Sequence, residues 1–459
     1  MLSFIKDKQI YFFLLLLLSI GIGLQIVIYK IAIAILFLQW LISKGFKQKF
    51  IKLKKNIFAI GLTVFYFLYC MSFFWSDNSA VAFADVILKL PLLILPIVIL
   101  SQNNLSKKQL NQVFLSFALS SLVLNLYSFF KAYSLYLATN NIDKLYYSNL
   151  SLNMHTSAQS MFTCFSIALF AYLFSKDKNL VSKWMAYSAV IIQLIFVFLL
   201  SSRMQILIMA FLVPAYLIPY YYKKKKAALG LLYTLFIFGA SYLIITIPST
   251  LNSRYDKTVS QINSLREDNG NYDARKFIWK EGLEVIKNNW LIGTGSGDVT
   301  DALAARYFRL ISGDPITENL AESKVSQTQK SNNGAFLSKQ DSIFIHNIHE
   351  KQLSVYSKNL LERRIHHYNI AYQRKYNFHN QYLQTFGAIG VFGFLILCFL
   401  MIYPVYLSIK KKDYLAISFL FIVGASCLTE SILERQAGVA FYALFYVLLI
   451  GRISQNKLS

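Results

Sequence analysis

The chain has 459 residues, 56% of them hydrophobic and only 15% charged, with a mean hydropathy of +0.46. Soluble domains carry about 25% charged residues, so the polar side chains are too few to cover the roughly three soluble domains this length allows, and disorder is excluded by the same hydrophobicity. Lys and Arg number 46 against 22 Asp and Glu, a formal net charge of +24, which points to nucleic acid in a soluble chain but to basic cytoplasmic loops in an apolar one.

Lys6 and Lys8 ahead of the apolar run from Tyr11 resemble a signal sequence. The run continues to about Ile28 without a small-residue cleavage site, and an uncleaved first span is expected. A helix crosses the hydrocarbon core in about 20 apolar residues. Runs of that kind lie at 10–28, 31–43, 57–75, 84–101, 112–137, 156–175, 184–201, 204–222 and 227–247, then at 385–408, 414–428 and 437–451. The second and eleventh are short. The expected fold class is all-α: a polytopic membrane protein with about twelve transmembrane helices and one large, mainly helical periplasmic loop. The expected division is 1–247 for spans one to nine, 248–384 for the loop and 385–459 for the last three spans.

Alternating sides from a cytoplasmic N-terminus puts Lys6, Lys8, the six lysines from Lys44 to Lys55 and Lys107–Lys108 inside. Lys176, Lys178, Lys183, Lys223–Lys226, Lys410–Lys412, Arg452 and Lys457 fall there too, against three acids, Asp7, Asp177 and Asp413. The long segment falls outside with 18 basic and 14 acidic residues. Every short basic loop lands on one face, which is the positive-inside pattern; a multi-pass inner-membrane protein with both termini cytoplasmic is expected, with no nucleic-acid partner. Lys89 and Lys131 are the main charges within the expected spans, and both are read as lying near span ends or snorkelling. Cys70, Cys164, Cys398 and Cys427 fall in apolar runs, where a thiol behaves as a small hydrophobe.

Of eleven arginines only Arg452 falls inside. Arg203, after Ser201 and Ser202 at the outer mouth of the seventh and eighth spans, is either a snorkelling anchor or a guanidinium facing a cavity; no acid lies nearby in sequence. Residues 273–289 read as an amphipathic helix capped by Asp273, with Ile278, Gly282, Val285 and Ile286 on one apolar face and Arg275 in its first turn. It stops at Gly293-Thr-Gly-Ser-Gly297, a turn that is either flexible or a backbone cradle for phosphate.

The stretch 311–345 is rich in Ser, Asn, Gln and Lys and reads as poorly ordered, and a helix is expected at about 350–376. His346 and His349 are three apart but lack a third metal ligand, and His366–His367 read as surface residues. His379 opens HNQYLQTFGAIGVFGF, where the polar segment enters the tenth span. An imidazole takes and gives a proton near neutral pH and suits general-base duty, while capping the helix is the alternative role. Asn380 and Gln381 offer hydrogen bonds to sugar hydroxyls. Glu430, Glu434 and Arg435, between the last two spans, form either a local ion-pair cluster or part of a site. His155, just before the sixth span, is similarly placed.

Three motifs together resemble the O-antigen ligase and O-antigen polymerase superfamily: R-x-x-x-W (Arg275, Trp279), G-T-G-x-G (Gly293 to Gly297), and H-N-x-Y-L followed by G-x-x-G (His379, Asn380, Tyr382, Leu383, Gly387, Gly390). The motif core covers 272–395. Asn289-Trp290 departs from the His-Pro or Asn-Pro of many members, and 311–365 looks like an insertion.

The resemblance implies metal-independent glycosyl transfer on the outer face of the cytoplasmic membrane, without a cofactor. The donor it implies is a glycan on a polyprenyl diphosphate, and the acceptor a lipid or glycan. His379 would be the general base on the acceptor hydroxyl, with Arg203 and Arg275 binding the diphosphate. Asn380, His155, Glu430 and Arg435 are expected on the substrate side. The first expectation is a ligase acting on lipid A–core oligosaccharide. A polysaccharide polymerase, a protein O-oligosaccharyltransferase and a non-enzymatic transporter are the alternatives.

Overall fold

The computed structural model describes residues 2–102, 105–151, 155–177, 179–246, 274–312, 371–372 and 375–451. Asp273, His346, His349, His366, His367, Arg452 and Lys457 lie outside the described residues, as do 313–370, which hold most of the expected poorly ordered stretch and of the helix expected at 350–376.

All regular structure among the described residues is helical. In chain order the helices are α1 (Leu2–Leu24), α2 (Ile28–Ile42), α3 (Phe46–Lys54), α4 (Ile57–Ser72), α5 (Ser79–Lys89) and α6 (Pro91–Ser101). Next come α7 (Lys107–Thr139), α8 (Tyr147–Leu150), α9 (Thr156–Lys176), α10 (Lys183–Leu199), α11 (Arg203–Lys223) and α12 (Ala227–Thr246). The last are α13 (Ala274–Asn288), α14 (Val299–Ser312), α15 (Gln381–Lys411), α16 (Tyr414–Cys427) and α17 (Gln436–Tyr446).

Each apolar run read from the sequence is mostly helical among the described residues. Among the described residues, six helical stretches are long and apolar enough to cross a membrane: 57–75, 79–101, 107–139, 156–176, 203–222 and 381–411. A seventh is possible if α2 and α3, bent by 118°, count as one. Other expected spans fall on shorter apolar helices such as Lys183–Leu199 and Tyr414–Cys427. At 1.5 Å per residue, 14 to 17 residues reach only about 21–26 Å of a core about 30 Å thick.

The chain divides into two compact units: one comprises residues 1–67, 88–256 and 398–459, the other residues 68–87 and 257–397. Polar side chains join helices inside the first. Asn125 of α7 donates to Thr163 of α9 (2.9 Å) and to Gln193 of α10 (2.6 Å), and accepts from Gln159 of α9 (2.9 Å). Gln193 in turn donates to Ser166 (2.9 Å). Where the surroundings are as apolar as the side chains, such bonds and close packing hold helices together. Phenylalanines supply the packing: Phe162 stacks on Phe441 at 4.4 Å, and Phe117 and Phe165 each meet Phe445 at 4.8 Å. Lys49 of α3 closes the open end of α2, its ammonium donating to the carbonyls of Trp40 (3.0 Å) and Ser43 (2.9 Å).

The sequence reading of Lys89 is corrected here. Its side chain is fully buried and its ammonium reaches the Glu434 carboxylate at 3.2 Å, so it does not snorkel. A buried ammonium without such a counter-charge is costly, which ties the 432–434 turn to the α5–α6 junction.

The second unit contains the helix expected near 273–289, present as α13, with Phe277, Ile278, Val285 and Ile286 buried. It also contains α14, which the sequence reading did not anticipate. Val299, Leu303, Ala304 and Tyr307 bury one face of α14, and Arg306 pairs with the nearly buried Glu281 of α13 at 2.9 Å.

Candidate functional site

The glycine motifs find their explanation inside the second unit. Helix α15 breaks at Ile389 and Gly390, whose dihedrals (φ −128°, ψ 18° and φ 68°, ψ −167°) leave the helical region. A break frees carbonyls and amides that must find partners. The 290–295 turn supplies them: Thr294 N–H donates to the Gly387 carbonyl (2.8 Å), Gly295 N–H to that of Ala388 (3.0 Å), and Val391 N–H donates back to the Trp290 carbonyl (2.9 Å). Backbone lies directly on backbone, and a Cβ on Gly293 would sit 2.5 Å from the Ala388 carbonyl. One on Gly390 would overlap the Leu291 carbonyl, in a conformation essentially reserved for glycine.

The remaining amides of the turn are engaged as well. Ser296 N–H meets the Ser72 hydroxyl (3.4 Å) and Gly297 N–H that of Ser76 (3.2 Å). The turn is therefore neither a flexible connection nor an open phosphate cradle. Asp298, just beyond it, accepts from the backbone N–H groups of Asp77 (2.7 Å) and Asn78 (2.8 Å) ahead of α5. Burial pushes its carboxyl up from the usual range, outweighing the lowering by those two bonds.

His379 sits at the entrance to α15, partly buried, with a left-handed φ of 45°. Such a backbone is uncommon for residues other than glycine, although histidine is one of those that adopt it more readily. Its N–H donates to Asn377 Oδ1 (3.0 Å), and its ring meets Tyr376 edge-on at 5.6 Å. The preceding residue, Phe378, is clamped: its carbonyl accepts from Trp279 Nε1 (3.0 Å), its N–H donates to Gln384 (3.3 Å), and its ring fills the space that a Cβ at Gly282 would need. Arg275 lies one turn before Trp279 on α13, so both face the same side of that helix. The structure thus brings R-x-x-x-W, the glycine turn and H-N-x-Y-L onto one scaffold.

Asn380 is buried and its Oδ1 accepts from Leu383 N–H (3.1 Å), the bond of a helix N-cap. Gln381 is fully buried and donates to Thr385 (3.2 Å), which bonds Tyr69 (3.3 Å). Both side chains expected to meet sugar hydroxyls therefore have structural work at the start of α15.

The other expected site residues lie in the first unit. Arg203 is the exposed first residue of α11, after Ser201 in a left-handed conformation (φ 49°). A cation there opposes the helix dipole, so its placement is not explained by helix stability. His155, Glu430 and Arg435 come together around a cavity of about 270 Å³, lined also by Gln25, Tyr29 and Ser431. Glu430 accepts from Ser157 Oγ (3.1 Å) and lies 3.8 Å from His155 Nδ1. Gln25 between α1 and α2, Ser157 in the first turn of α9 and Ser431 after α16 are far apart in the chain, and no local pattern marks them as neighbours.

The O-antigen ligase family model matches residues 188–328. The match covers less than half of the chain; it supports the O-antigen ligase and polymerase superfamily and, in general terms, a ligase-like glycosyl transfer role. The matched stretch contains Arg203, Arg275 and the glycine turn, and ends before His379. No curated protein matches the chain.

Proposed function

We propose that the protein moves a glycan from polyprenyl diphosphate onto lipid A–core oligosaccharide at the periplasmic face of the inner membrane. The O-antigen ligase match carries the reading. In the reaction the acceptor hydroxyl oxygen attacks the anomeric carbon, its proton passes to the His379 imidazole, and the diphosphate leaves on the polyprenyl carrier. Arg203 and Arg275 bind that diphosphate and offset the charge that grows on it as the glycosidic bond breaks, without a metal ion. His155, Glu430, Arg435 and Asn380 serve the substrate side, Asn380 through the helix end that carries His379.

The held geometry around His379 supports its role, since a base needs a fixed position more than a flexible loop gives. The first unit supports the twelve-span topology with both ends inside. His155 and Glu430, from two connections that alternation assigns to the outside, line one cavity together with Gln25 near the outer end of the first expected span. Asn56, assigned to the inside, donates to the carbonyl of Gly451 at the inner end of the last expected span (2.7 Å), and Asn111 donates to Asp177, both assigned to the inside (3.0 Å).

The decisive experiment is glycolipid profiling of a deletion strain complemented with wild type or His379→Ala. With the variant, complete glycan chains are expected to stay on the polyprenyl carrier, transfer falling at least about a hundredfold, as for loss of a general base. Single repeat units on the acceptor would identify a polymerase instead, and wild-type transfer by the variant would remove His379 from the chemistry.

A further inference from the structure

The cavity in the first unit has a chemistry of its own. It is about 270 Å³, below the range of drug-sized pockets and suited to one small polar ring. Glu430 enters it largely buried, its side chain 14% exposed, and already receives the Ser157 hydroxyl (3.1 Å) with His155 at 3.8 Å. Arg435 also lines the cavity, and no acid pairs it among the described residues. Ser431, 6% exposed, lines the cavity with its hydroxyl buried and without a hydrogen-bond partner among the described residues. A buried hydroxyl left unpaired is costly and marks a place where a ligand's polar group belongs.

These groups select among ligands. A phosphate would bring its charge against the Glu430 carboxylate. A metal ion would find one carboxylate and one imidazole, and no group of three His, Cys, Asp or Glu side chains able to hold a metal occurs among the described residues. A pyranose suits both sides, because its hydroxyls donate to a carboxylate while its oxygens accept from guanidinium, amide and serine hydroxyl. The Lys89–Glu434 ion pair (3.2 Å) fixes the turn that carries Ser431 and Arg435, so the cavity is shaped before a ligand arrives.

We propose that this cavity is a subsite for a single pyranose unit, held by Glu430 and Arg435 and completed by Ser431. As a subsite of glycan transfer it rests on the ligase reading. Its binding chemistry is tested apart from turnover. The probes are two lipid-free oligosaccharides from cells lacking the gene: the glycan released by mild acid from its polyprenyl carrier, and the oligosaccharide released from the acceptor lipid. Binding of each to the full-length protein in detergent is read by ligand-observed NMR.

Wild type is expected to bind one of the two, and Glu430→Gln to weaken that binding at least tenfold. Ala437 also lines the cavity, and Ala437→Phe adds a ring there while keeping Glu430 and Arg435; it serves where Glu430→Gln lowers the yield of folded protein, and the same loss is expected. Loss for the carrier-derived glycan assigns the subsite to the donor, and loss for the other oligosaccharide to the acceptor. Binding unchanged in both variants, or no binding by wild type, overturns the subsite. Glu430-dependent binding in a protein that transfers no glycan overturns the ligase reading and leaves the subsite standing.

Discussion

The two units are held together in different ways. In the first, side chains join the helices: the amide network of Asn125, Gln159 and Gln193, and the phenylalanines around Phe441 and Phe445. In the second, the most demanding contact is backbone on backbone, where the 290–295 turn takes over the hydrogen bonds of the broken α15. Side chains can be exchanged for others of similar shape and polarity. A backbone contact at van der Waals distance cannot accept even a methyl group, so its glycines have no substitutes.

The sharpest test of this contrast is Gly390→Ala. Its Cβ would overlap the Leu291 carbonyl at a left-handed φ of 68°, and strain and overlap together should cost about 3 kcal/mol or more. Thermal unfolding of the detergent-purified protein measures it, and a wild-type midpoint would show that the turn and the break can separate cheaply. Asn125→Leu should do less. It removes three hydrogen bonds, but Gln193 keeps Ser166 and Gln159 keeps Ser128, so a loss of about 1–2 kcal/mol is expected. A larger loss than that of Gly390→Ala would reverse the contrast.

The smallest effect concerns Asp298. Its carboxyl pKa is raised by burial, so the folded protein holds the proton more tightly than the unfolded chain. The stabilising contribution is fully present below the unfolded carboxyl pKa and is lost as pH rises through the folded one. Wild type should therefore gain stability relative to Asp298→Asn as the pH falls through the carboxylate range. Melting curves of the two proteins across that range measure the gap, and a gap that moves against wild type on acidification would mean that the bonds from Asp77 and Asn78 outweigh burial.

Much of this was legible in the sequence. Apolar run length located the helices because the hydrocarbon core demands it, and the apolar face of α13 followed from its 3.6-residue period. Asp298 and Asp301 were signals for the start of α14, but the glycines before them read as an end of structure. The polar groups inside apolar runs were harder. Asn125, Gln193 and Lys89 look like isolated costs in sequence, and only their partners, tens to hundreds of residues away, explain them.

Composition and apolar run length by themselves determined a chain of apolar helices suited to a membrane, because hydration of charge and the thickness of a bilayer act on local sequence. The tertiary structure decided what the motifs are for. The G-T-G-x-G turn is a backbone splice into α15, Trp279 is a clamp on the residue before His379, and Asn380 is the cap of the helix that follows. The first two roles depend on partners that the chain brings near only when folded, and no local pattern encodes them; the cap alone is local, its partner being Leu383 N–H three residues on.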